Sequence, residues 1–266
     1  MLGWSINLFR VFGIQLAVHA SFFLLLAYVG FEGWKEDGSA GLLLNVGLIV
    51  VFFACVVLHE LGHSLTARRY GVRVPRILLM PIGGMAEFDH IPRQPAAELL
   101  ITLAGPAVNF AIAAILWLVV GLPAGWPWHA DYPDSLRGLA QILLNWNLVM
   151  GLFNLLPVFP MDGGRIFRAL LARKMPYLRA TYWAAMIGKI LALVLAGACF
   201  FYLQRTLAGV LFTFIFFAGD AEYRMLLRRE REAAYWAEMA RRLSTVETVP
   251  GGGPPAAPPF IQHGPN

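Results

Sequence analysis

The stretch LLLNVGLIVVFFACVVLHELGHSLTA, residues 42–67, decides how the rest of the chain is read. It is apolar nearly throughout and long enough to cross a bilayer, whose hydrocarbon core takes about 20 residues of helix. Near its end stand His59, Glu60 and His63. Helix residues four apart share a face, so the two imidazoles present together, with Glu60 on an adjacent part of the helix. His-Glu-x-x-His is the spacing of zinc-dependent hydrolases, two metal ligands with a carboxylate beside them. Ionisable groups inside a membrane are costly to bury and are rarely kept without a task, so a packing role alone is disfavoured. The expectation is a zinc protease that works within the membrane.

Composition supports the membrane half of that reading. The 266 residues are 58% hydrophobic and 14% charged, against about 45–50% and 25% in soluble domains, and mean hydropathy is +0.62. The formal charge of +5 comes with arginines clustered beside apolar runs. That pattern signals topology and contact with anionic headgroups, and no nucleic-acid partner is expected. Cys55 and Cys199 both lie in apolar segments and suggest no disulfide framework. Cys55 precedes His59 by one helical turn, and a packed thiol is preferred there to a ligand.

Length and charge lay out the spans. Apolar segments run over 14–30, 42–67, 99–120, 139–156, 183–203 and 207–218, and residues 31–40 read as an acidic loop between the first two. Arginines follow the second, fourth and sixth segments, so the positive-inside rule predicts six transmembrane helices with both termini cytoplasmic. The fold class expected is an all-α polytopic protein of the cell membrane, with a small membrane-associated β-hairpin or sheet between helices two and three. Residues 74–88 are too short and too rich in Pro and Gly to cross, and their apolar alternation supplies that hairpin. Its edge is a candidate for pairing with a substrate backbone, a structural hairpin being the alternative. The domain reading is a core over 1–220, a charged helical segment over 221–243, and a disordered Gly/Pro-rich tail over 244–266.

This topology nominates a third ligand. With span two running inward, the two histidines lie near its cytoplasmic end; span four runs the same way and delivers Asp162, in Pro160-Met161-Asp162-Gly163-Gly164-Arg165, to a similar depth. Two imidazoles and one carboxylate would hold zinc and leave a position for water. A turn or cap role for Asp162 is the competing reading. Asn109, four residues after Gly105, reads as an amide near the site or as part of a packing face, and Asn154, two turns before Asp162, stands where Pro157 and Pro160 break the helix, with packing again the alternative. His19 reads as a hydrogen-bonding residue, and His90, His129 and His263 have no ligand-like spacing.

Taken together, His59-Glu60-Leu61-Gly62-His63, the Gly105-to-Asn109 element, and Asn154, Pro157, Pro160, Asp162 and Gly163 resemble the site-2 protease family, the intramembrane zinc metalloproteases of peptidase family M50. Pro81-Ile82-Gly83-Gly84 is similar to that family's membrane-associated hairpin. The resemblance runs through span six and implies one Zn2+ per chain on His59, His63 and Asp162, with Glu60 as the base and Asn109 and Asn154 as candidates for holding the substrate backbone or an oxyanion. Neither the family's PDZ insertion nor its paired C-terminal nucleotide-binding domains are expected in this sequence. The activity implied is hydrolysis of peptide bonds at the cytoplasmic end of transmembrane segments, in regulated proteolysis of a membrane-bound regulator. Expected partners are a transmembrane protein or peptide substrate and membrane lipid, with a homodimer left open. A metal transporter is disfavoured because the ionisable residues collect at one depth.

Overall fold

A computed structural model describes residues 4–90, 92–121 and 135–246. Residues 122–134, with His129, and the tail after Val246, with His263, lie outside them. The described chain runs β1 (Ser5–Val11), β2 (Ile14–His19), α1 (Ala20–Arg69), β3 (Arg76–Met80), β4 (Gly83–Glu87), α2 (Pro95–Val120), α3 (Leu136–Asn154), α4 (Asp162–Leu171), α5 (Tyr177–Phe201) and α6 (Thr206–Val246).

The N-terminus departs from expectation. The first third of the predicted first span is β2, not helix, and it pairs antiparallel with β1 and parallel with β3, giving one sheet in the order β1-β2-β3-β4. The β1–β2 reversal uses Phe12 and Gly13, both at positive φ (50° and 79°), the geometry that matches the twist of paired strands. The sheet is therefore four-stranded, and only half of it comes from the segment between the second and third predicted helices. Ile14, Leu16 and Val18 are buried, as in a strand packed against a core, and an apolar-length criterion reads such a strand as the start of a span. His19 then caps α1, its Nδ1 accepting from the Ser21 N–H at 3.2 Å.

α1 is two helical limbs, not one rod. Asp37 (φ −143°) and Gly38 (φ 55°, ψ −135°) leave helical geometry, and the backbone of Gly38 is one that side chains resist. The limbs fold back on each other: a Cβ at Gly33 would overlap the Gly41 carbonyl, Gly30 faces Leu42 and Val46, and the Phe22 ring meets Phe53 edge-on at 4.6 Å. The segment expected as an acidic loop over 31–40 is thus helical except at this two-residue reversal, with Lys35 bridging Glu32 at 2.8 Å within the first limb.

The parallel pairing of β2 with β3 requires a crossover, and the hairpin α1 supplies it. The core between the sheet and the second limb contains Leu16, Val18, Phe53, Val56, Ile77 and Leu79, with Ile101 of α2 joining it. The segment bearing the two histidines is pinned from both sides. Among the described residues α1, α2 and α5 are long and apolar enough to cross a membrane. On these helices Leu24, Leu43, Leu118, Leu193 and Phe201 stay exposed, as lipid-facing side chains do.

The chain divides into two compact units, Met1–Glu222 and Tyr223–Asn266. The described part of the second is helical, with mostly exposed side chains and an Arg242–Glu238 ion pair at 3.0 Å one turn apart.

Candidate metal centre

His59 and His63 leave the second limb of α1 on one face, with their Nε2 atoms 3.1 Å apart. Asp162, in the first turn of α4, places Oδ2 3.3 Å from His59 Nε2 and 3.2 Å from His63 Nε2. All three side chains are buried. The two histidines and the aspartate predicted from spacing and topology therefore meet.

The far sides of the imidazoles decide their tautomers. His63 Nδ1 lies 2.8 Å from the Ile101 carbonyl, which can only accept, so Nδ1 carries a proton. His59 Nδ1 lies 2.6 Å from Asn109 Oδ1. The orientation of that amide follows from the bonds behind it: Asn147 Nδ2 donates to the Leu143 carbonyl at 2.8 Å, leaving Asn147 Oδ1 to accept from Asn109 Nδ2 at 2.9 Å. Asn109 Oδ1 then faces His59, which must donate. In each ring, when neutral, Nε2 is therefore the bare nitrogen, and both lie within 3.3 Å of Asp162 Oδ2, which has no hydrogen-bond partner among the described residues.

With both rings neutral, as metal ligation requires, the three acceptor atoms have no proton between them and repel unless a cation joins them. A tetrahedral ion with ligand bonds of about 2.0–2.1 Å would hold its ligands about 3.3–3.4 Å apart, close to the 3.1–3.3 Å found here. The residues fit a divalent cation with nitrogen and oxygen preference. Gly105 of α2 makes the space: a Cβ there would overlap His63 Nε2 and come within 2.8 Å of His59 Cε1.

Glu60 points toward the sheet. Its Oε2 accepts from the Ala86 N–H at 3.3 Å, and a Cβ at Gly84 would lie 2.6 Å from its Cγ. β4 is the sheet's edge, so the Ala86 N–H faces away from β3, and by the two-residue period so does the backbone of Gly84. Asp162 is brought in by a close approach of α4 to the end of α3, where a Cβ at Gly163 would overlap the Leu155 and Leu156 carbonyls.

Asn109 is completely buried behind His59, its amide engaged at one end by His59 and at the other by Asn147. Asn154 is half-buried, and its Nδ2 donates back to the Met150 carbonyl at 3.0 Å. Cys55 accepts from Asn147 at 3.4 Å and is a packed thiol outside the ligand cluster. Sequence reasoning gave Asn147 no role of its own and missed the Ile101 carbonyl and the buried Glu98–Arg168 pair; of these, only the asparagine in an apolar span carried a signal. Replacing Asn109 with Leu is expected to weaken zinc binding about 10–100-fold, the usual loss when a histidine's outer partner is removed, as read by chelator competition.

The profile of peptidase family M50 matches residues 47–125 and 132–195. The chain belongs to peptidase family M50. This M50 chain is 38% identical over 229 residues to a zinc metalloprotease of Methanocaldococcus jannaschii, covering 85% of this chain and 62% of that one. It is 26% identical over 171 residues to stage IV sporulation protein FB of Bacillus subtilis, covering 64% and 56%. The chain thus spans less than two thirds of the length of these curated relatives. The solved structure of a site-2 protease from M. jannaschii superimposes with a TM-score of 0.58 at 38% identity, covering 83% of the M50 chain and 95% of that chain. The apolar helices and the family together make this a membrane protein.

Proposed function

We propose that the chain is a zinc-dependent endopeptidase cutting transmembrane substrates within the bilayer, near their cytoplasmic ends. The observation that carries the reading is the convergence of two imidazole Nε2 atoms from the apolar helix α1 and a buried Asp162 oxygen from α4 that has no hydrogen-bond partner among the described residues. His59, His63 and Asp162 would hold the zinc. Bound zinc supplies Lewis acidity toward a water and the scissile carbonyl. Glu60 removes the water proton and returns it to the departing amine. Asn109 keeps His59 in the ligating tautomer, while Asn154 contacts the substrate backbone. A transmembrane helix hides its carbonyls in internal hydrogen bonds, so the substrate must unwind. The outward backbone of Gly84 and the Ala86 carbonyl offer the unwound segment an edge to pair with.

The reading includes six membrane crossings: the two limbs of α1, α2, α3, α5 and the apolar start of α6. Both termini are then cytoplasmic in a multi-pass cell-membrane protein whose catalytic core ends near residue 220. The physiological substrate is a membrane-bound regulator. Terminal-peptide mass spectrometry of membranes from cells expressing this chain, or its Glu60→Gln form at equal abundance, tests the activity. Cytoplasm-proximal transmembrane cuts restricted to the unmodified chain are expected. Identical fragment sets in cells containing cleavable substrates would overturn it.

A further inference from the structure

Glu98, in the first turn of α2, and Arg168, in the last turn of α4, are 1% and 2% exposed. Arg168 Nε and Nη2 donate to Glu98 Oε1 at 2.8 and 2.5 Å, and the Tyr177 hydroxyl donates to the same oxygen at 3.3 Å. The guanidinium lies 5.1 Å from the Tyr177 ring centroid and 5.2 Å from that of Phe159. Removing two charges from water is costly, and apolar residues of similar volume often hold helices together as well or better. What they lack is direction.

Both partners sit on elements that build the metal centre. α4 begins with Asp162. α2 carries the Ile101 carbonyl that orients His63, the Asn109 amide that orients His59, and Gly105 against both rings. α4 approaches the end of α3 at Gly163 and the Val158–Phe159 backbone at Gly164, and neither glycine has a side chain to fix how α4 is rotated.

We propose that the Arg168–Glu98 pair is a positioning device for the metal centre, setting α4 against α2 so that Asp162 Oδ2 meets both imidazoles. The proposal rests on the metal-binding reading above. Arg168 and Glu98 act through Asp162 and touch neither substrate nor metal.

The test uses the full chain in detergent, with cobalt(II) as probe, its affinity measured by chelator competition, its absorption spectrum recorded, and thermal unfolding followed without metal. The double variant Arg168→Met/Glu98→Leu removes both charges while keeping apolar volume. It is expected to unfold at or above the temperature of the unmodified chain, yet to bind cobalt about 10–100-fold more weakly and lose the intense tetrahedral absorption. Arg168→Lys keeps the charge but not the fork, and is expected to fall between. A double variant with unchanged affinity and spectrum would reduce the pair to helix packing and overturn the proposal. Should that variant fail to fold, Arg168→Lys decides: weaker cobalt binding at an unchanged unfolding temperature supports positioning, and unchanged binding overturns it. Absence of cobalt binding by the unmodified chain would instead sink the metal-binding reading itself.

Discussion

Glu60→Gln is expected to lower kcat by at least about 10²–10⁴-fold, the range supplied by a positioned general base, with zinc content and unfolding temperature unchanged. The substitution is nearly isosteric, and the new amide oxygen still accepts the Ala86 N–H that Glu60 Oε2 accepts now. What disappears is the ability to take a proton from water. Measuring hydrolysis of a transmembrane peptide beside metal content separates this from collapse of the site. Retained turnover at full zinc loading would remove Glu60 from the chemistry, and lost zinc would assign it a structural task.

Gly105→Ala is expected to abolish stoichiometric zinc binding and, with it, activity. The added methyl would overlap His63 Nε2 and stand 2.8 Å from His59 Cε1, so both ligand rings would have to move. The surroundings have little room to yield, because Ile101 and Asn109 hold the far sides of both rings. Gly62→Ala is the control. A Cβ there would lie 2.7 Å from the Ala104 carbonyl oxygen, so it strains the same α1–α2 contact away from the Nε2 atoms. Overpacking of this kind typically costs about 1–3 kcal/mol, so Gly62→Ala should lower the unfolding temperature without selectively weakening metal binding. Equal metal loss in both variants would show that helix spacing, and not occupancy of the site, governs binding.

The candidate metal cluster is the most legible part of the molecule. His59 and His63 are one turn apart, so local helical period alone puts them together. Asp162 needs a topological argument, and span direction supplies it because charge flanks set orientation. Asn109 is legible as a residue near the site, but its contacts are not. A sequence shows that an amide stands in an apolar helix, and not which way it turns; the Leu143 carbonyl and Asn147 settle that by forcing each donor in series. Ile14–His19 reads as span instead of strand because apolar length cannot separate the two, and its partner β3 lies beyond the whole of α1.

By itself the sequence determined the membrane setting, the pairing of the two histidines and the candidate carboxylate, because these depend on composition, local period and charge asymmetry. Only the tertiary structure decided the four-stranded sheet, the tautomers of the two rings, the space at Gly105 and the buried Arg168–Glu98 pair. Each of those joins residues far apart in the chain, and which distant groups meet is set by packing, which no local pattern encodes.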